Sequence, residues 1–246
     1  MKDRDIDELL NRTKVPQGPG AETMGRIAEA IAGSMRPVRP LPPPWMLTGG
    51  VALICAVVAV AGAAGLGFAG IAKMNALERG AVFSALAMLV LAAASESVSS
   101  MIPASRRRFS SGALLTVAGL FLAAVLAACF RDYQTTNFLH AGPVCLAIGV
   151  LHAMAAGVLS WLVLRRGFAV DAVSAGLAAG TLAGLAGASM LELHCSNFQA
   201  AHVLVWHLGV LLVSGGLGAL VGWRSSATSA NRETEPGRDS IRHSGQ

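Results

Sequence analysis

The sequence predicts an all-α, polytopic membrane protein: six transmembrane helices, both termini on the cytoplasmic side, and a short helical segment at the amino terminus. Three observations predict it. Of 246 residues, 54% are hydrophobic and 13% charged, a balance too apolar for one soluble core. The apolar residues gather into six stretches of about 20 residues, the helix length that crosses a hydrocarbon core about 30 Å thick. The basic residues lie between and outside these stretches, on alternate sides. Lipid offers backbone amides no partner, so each stretch must be helical.

Residues 1–45 come first and are polar and proline-rich, with no short apolar run resembling a cleavable leader, so the segment is expected to be retained. It is too short for a core of its own. "DIDELLNR" carries Ile6, Leu9 and Leu10 behind acids that suit a helix amino terminus. "PGAETMGRIAEAIAGSM" repeats Met24, Ile27, Ala28, Ile31 and Ala32 at the spacing of one helical stripe. "VPQGPG" separates the two helices, and "RPVRPLPPPW" forms a stiff spacer to the membrane. The segment holds basic and acidic residues in similar number, so attraction to anionic lipid is weak. The stripes, with Ile6, Leu9, Leu10, Met24, Ile27 and Ile31, are expected to dock in a protein groove.

The spans follow at Met46–Ile71, Ala81–Ile102, Ser111–Phe130, Val144–Leu164, Val170–Leu191 and Ala201–Trp223. Gly176, Gly180, Gly184 and Gly187 in the fifth predict close helix approach. Of the 19 Lys and Arg residues, all but Lys73, Arg79 and Arg131 fall in the amino-terminal segment, the loop with Arg106, Arg107 and Arg108, the loop with Arg165 and Arg166, or the tail. The positive-inside rule places those four regions in the cytoplasm. Topology thus accounts for the net charge of +5, and no direct nucleic-acid binding is expected. Residues 224–246 are polar, lack periodicity and read as a disordered cytoplasmic tail. The resulting division is 1–45, a partner-binding segment; 46–223, the membrane domain; and 224–246, the tail.

Glu96 falls within the second span, where an acid needs a partner or a proton. It either supports packing through Ser95, Ser97 or a neighbouring helix, or couples the two sides of the membrane. Cys55 reads as a packing residue in the first span. Cys129, Cys145 and Cys195 lie near the outer ends of their spans, on the face that is oxidising in a bacterium.

"CLAIGVLH" and "CSNFQAAH" each set a histidine seven residues after a cysteine, pairing Cys145 with His152 and Cys195 with His202. Along a continuous helix that is about 10 Å, too far for one such pair alone to hold a metal, so a site needs both helices, with His194 or His140 as further donors. Three readings stay open for Cys145 and Cys195. A structural disulfide would close a loop of about 50 residues and stabilise by roughly 4 kcal/mol. A thiol switch or soft-metal sensor would use Cys145, Cys195, His194 and His202. A disulfide-shuttling enzyme would need a Cys-x-x-Cys pair, which is missing. His207, in "VWHLG", is either a helix–helix hydrogen bond or a haem or quinone contact. No HExxH, GxSxG or phosphate-binding glycine loop occurs, so no enzyme and no obligate cofactor are expected.

"PVRPLPPPW" before the first span and "GLAAGTLAGLAGASMLELHCSNFQAAHVLVWHLGVLLVSGGLGALVG" across the last two resemble the NrsF family, most specifically around "LELHCSNFQAAHVLVWH". The resemblance implies a multi-pass anti-sigma factor of the bacterial inner membrane, with a cognate extracytoplasmic-function (ECF) sigma factor as cytoplasmic partner. It also implies that two periplasm-facing cysteines respond to heavy-metal or oxidative stress. Cys195 matches the "HC" motif and Cys145 matches the earlier cysteine by place. The rival reading is a small membrane redox, metal-binding or transport protein built on the same Cys and His residues.

Overall fold

A computed structural model describes residues 20–34, 42–102, 110–135, 138–165, 167, 169 and 171–233. Ile6, Leu9, Leu10, the arginine triplet and Arg166 lie outside these residues. The chain divides into two units, residues 1–40 and 41–246. In the first, α1 runs Ala21–Ser34 with none of its residues buried. Met24, Ile27 and Ile31 are all exposed.

The second unit contains α2 (Pro44–Leu66), the short α3 (Ala69–Lys73), α4 (Ala76–Ser100), α5 (Ser111–Cys129), α6 (Phe138–Leu164) and α7 (Ala172–His194). A short turn, α8 (Ala200–His202), then passes through a π-helical turn at Val203–His207 into α9 (Leu208–Glu233). Among the described residues, six helices are long and apolar enough to cross a membrane: α2, α4, α5, α6, α7 and the stretch Ala200–Ala227. No strand occurs among the described residues, only an isolated bridge between Asp132 and Gln199.

Local sequence sets the ends. Pro44 opens α2, where its missing N–H costs nothing, and Gly67 closes it at a φ of +100°, which a side chain would resist. That break ends the first span before Ile71 and leaves α3 as a separate turn. A capping box starts α4: the Glu78 N–H donates to Asn75 Oδ1 (2.9 Å) and the Asn75 N–H to Glu78 Oε2 (2.8 Å). Ser110 and Asp171 cap α5 and α7. Pro143 lies inside α6 near its start, so the fourth span begins at Phe138 rather than Val144. A proline this early removes a single hydrogen bond. At the other terminus α9 continues through Glu233, ten residues past the point where the sequence reading begins a disordered tail. Ser225 and Ser226 there return their hydroxyls to the carbonyls of Val221 and Gly222, absorbing side chains whose polarity alone suggests coil.

The hub is α7, which touches α2, α4, α5, α6 and α9. Of its most apolar stretch 67% is buried, against 22% in α2, α5 and α6. Small residues are the cause. A Cβ on Gly176 would overlap the Gly218 carbonyl oxygen, one on Gly180 the Ser214 carbonyl, and one on Gly222 the Ala172 carbonyl. The backbones of α7 and α9 therefore meet directly, as close packing in lipid requires.

A cysteine and histidine cluster at one end of the bundle

After α7 the chain leaves the helix at Cys195, whose N–H still donates to the Leu191 carbonyl at 2.7 Å, and stays non-helical as far as Gln199. Neighbouring segments pin this link. Lys73 Nζ donates to the Ser196 carbonyl (3.2 Å), the Ala200 N–H to the Asp132 carbonyl (2.6 Å), and Phe198 stacks on Phe130 with centroids 4.6 Å apart. Gly70 lies against the link's backbone, where a Cβ would stand 2.6 Å from the Glu192 carbonyl and 2.7 Å from that of Cys195.

The held link brings Cys195 Sγ to 3.7 Å from Cys145 Sγ on α6 and 3.6 Å from His202 Nε2. Both cysteines are free thiols. His207 completes the group: one donor atom from each of Cys145, Cys195, His202 and His207 lies within 4.8 Å of the others. Cys145 is half-buried, and the other three are buried, His202 at 0% and His207 at 1% exposure. The nearby Cys145 thiol and burial hold the Cys195 thiol above the ordinary cysteine range, against the pull of His202 and His207.

Behind His207 stands Glu192, itself 1% exposed, with Oε1 2.7 Å from His207 Nδ1. A carboxylate only accepts, so a neutral His207 carries its proton on Nδ1 and turns a lone pair outward on Nε2. His207 Nε2, His202 Nδ1 and Glu192 Oε2 are buried without a hydrogen-bond partner. The imidazole rings of His202 and His207 meet edge to face at 5.5 Å.

The structure joins Cys145, Cys195 and His202, as the soft-metal reading groups them, but not His194. That ring lies at the end of α7, where Nδ1 bonds the Gly67 carbonyl at 2.9 Å. The seven-residue spacing has opposite outcomes in the two segments. Cys195 and His202 are close because the chain between them is not one helix. Cys145 and His152 do share α6, yet His152 bonds the Ile148 carbonyl and packs against Gly62. His140 is exposed outside the cluster. Glu96 is buried, with Oε1 unpartnered; the Ser97 hydroxyl turns to the Ala93 carbonyl instead. Glu192 is the functional candidate that sequence reasoning passes over. Its signal is position: one helical turn before Cys195, on a helix otherwise without acids.

Comparison with known proteins is consistent with this layout. The family model NrsF, described as negative regulator of sigma F, matches residues 31–226. The match takes in five of the six long apolar helices whole, nearly all of the sixth span, and every residue of the cluster. No curated protein and no solved structure matches the chain.

Proposed function

This chain belongs to the NrsF family, negative regulators of sigma F, and we propose that it is a bacterial inner-membrane anti-sigma factor that sequesters an ECF-type sigma factor and releases it under heavy-metal or oxidative stress. The amino-terminal segment binds the sigma factor in the cytoplasm. Support comes from α1, whose Met24, Ile27 and Ile31 form an exposed apolar stripe of the kind that seats in a partner's groove. Ile6, Leu9 and Leu10, which lie outside the described residues, belong to the same proposed partner-binding set. Lysine and arginine placement supports a cytoplasmic position for both termini and a periplasmic one for Cys145 and Cys195. The protein acts by binding rather than by catalysis.

The observation that carries the sensing half is the approach of two free thiols to 3.7 Å. An oxidant that takes two electrons and two protons from them leaves a disulfide, and a soft cation bound by both sulfurs displaces the two protons to solvent without a change of oxidation state. Either event pulls on the ends of α6 and α7. Because α7 contacts all the other spans, a shift there has a packed route to α2, the span that follows the proline spacer in sequence. Release then requires that the two bundle arrangements differ in affinity for the sigma factor.

A sigma-dependent reporter in cells carrying the full chain tests both halves. Deleting residues 1–35 is expected to make the reporter constitutively active; unchanged transcription overturns sequestration. The C145S/C195S chain is expected to reach the membrane and repress, yet lose induction by cadmium or chromate. A normal response overturns sensing at these thiols.

A further inference from the structure

We propose that Cys145, Cys195, His202 and His207 form a resident tetrahedral centre for a zinc-class divalent cation, with Glu192 as the outer partner that orients His207. The centre deepens the thiol-sensing reading and rests on it for its biological consequence. The coordination chemistry stands on geometry.

Distances come first. With Zn–S bonds of about 2.3 Å and Zn–N bonds of about 2.05 Å, a regular tetrahedron has S–S edges of about 3.8 Å and S–N edges of about 3.6 Å. The Cys145–Cys195 and Cys195–His202 separations, 3.7 and 3.6 Å, are edges of that size. A disulfide needs about 2.05 Å between the sulfurs. The widest separation in the group, 4.8 Å, closes with a movement of about 1 Å. Two thiolates and two imidazoles in tetrahedral array are the donor set of zinc rather than of magnesium or calcium.

The second observation is the backbone that presents the histidines. Residues five apart on an α-helix point roughly 140° away from each other. The π-turn at Val203–His207, in which the Leu208 N–H reaches back to the Val203 carbonyl, adds the extra residue that brings His202 and His207 to one side. Such a turn forfeits regular α-helical bonding, and its product here is a pair of imidazoles facing two thiols.

The third is the buried pair behind the site. Metal-bound histidines commonly donate their other ring N–H to a carboxylate, which fixes the tautomer and strengthens the ligand. His207 Nδ1 and Glu192 are so arranged at 2.7 Å, and His207 Nε2 is left buried with no hydrogen-bond partner. A buried ring nitrogen with no hydrogen-bond partner is unfavourable, and a cation in the cluster gives it a partner. Loading releases the two thiol protons to solvent and changes no oxidation state. Two thiolates then balance the dication.

The test is titration of the purified full chain in detergent, under reducing conditions, with Co(II) and then Zn(II). One equivalent of Co(II) per chain is expected to give intense visible ligand-field bands and a thiolate-to-cobalt charge-transfer band, both abolished by Zn(II). Cys145→Ser and Cys195→Ser should weaken the charge transfer, and His202→Ala and His207→Ala should abolish the tetrahedral spectrum. Glu192→Gln should keep the spectrum while lowering affinity 10- to 100-fold. His194→Ala and Cys129→Ser should titrate like the native chain. Absence of a stoichiometric tetrahedral spectrum in the native chain, or a His207→Ala chain that titrates normally, overturns the centre. These results are separate from the reporter: a chain that loads cobalt but ignores stress refutes sensing and keeps the centre. A chain that represses and responds yet takes up no cobalt does the reverse.

Discussion

Glu192 Oε1 and His207 Nδ1 stand 2.7 Å apart across α7 and the π-turn, with both residues 1% exposed. Breaking a buried pair by removing one partner strands the other, at about 3–5 kcal/mol. Glu192→Ala and His207→Ala should each lower stability in detergent by an amount of that order, while the double variant loses much less than the sum. A coupling energy near zero in that cycle would show that the contact contributes nothing.

The α7–α9 interface predicts a matched pair of glycine variants. Gly176→Ala must push against the Gly218 carbonyl, whereas a methyl at Gly216, on the same bundle, would meet no atom within 4 Å. Gly176→Ala is expected to cost about 1–3 kcal/mol and to reduce folded protein recovered from membranes. Gly216→Ala should behave like the native chain. Equal recovery would mean that the two helices do not pack backbone to backbone.

Gly70 sets the position of the Cys195 link. A methyl there meets the carbonyls of Glu192 and Cys195, which belong to backbone and cannot swing aside. Gly70→Ala should slow diamide-driven crosslinking of Cys145 to Cys195 several-fold, scored by non-reducing electrophoresis after cleavage between the two. Gly80→Ala, in open space, should crosslink at the native rate and serves as the control.

The sidedness proposed from charge placement is open to direct labelling. A membrane-impermeant maleimide applied to intact, reduced spheroplasts is expected to reach half-buried Cys145 in preference to Cys55, which is 1% exposed. Labelling of Cys145 only after the membrane is ruptured would invert the orientation and remove the periplasmic assignment.

The stripe on α1 predicts a regulatory phenotype without a folding defect, because none of its residues is buried. Ile27→Asp and Ile31→Asp together should raise reporter transcription toward that of the deletion while the protein stays in the membrane. Full repression by this chain would move the partner surface off α1.

Much of this architecture is legible in residue order because it depends on quantities that add along the chain. Span number and the role of the fifth span's glycines both arise from composition within single segments, whereas the capping box at Asn75 starts α4 at Ala76, five residues before the Ala81 that apolar content suggests. Partner depth is different. His194 and Cys195 are neighbours in sequence, yet the helix ends between them and sends one ring to the Gly67 carbonyl and one sulfur to the cluster. Glu192 gives no local cue to its partner, since His207 reaches it only after the chain has turned back through the link.

Residue order alone determined a helical, six-span membrane protein, because apolar length and the demand for internal backbone hydrogen bonds act within each segment. Only tertiary structure decided which histidines meet Cys145 and Cys195. That choice depends on the non-helical link at Cys195–Phe198 and on the extra residue in the π-turn, which rotate side chains out of the 3.6-residue period that sequence patterns assume. Convergence of three segments on one point is set by packing between them, and no single segment carries it.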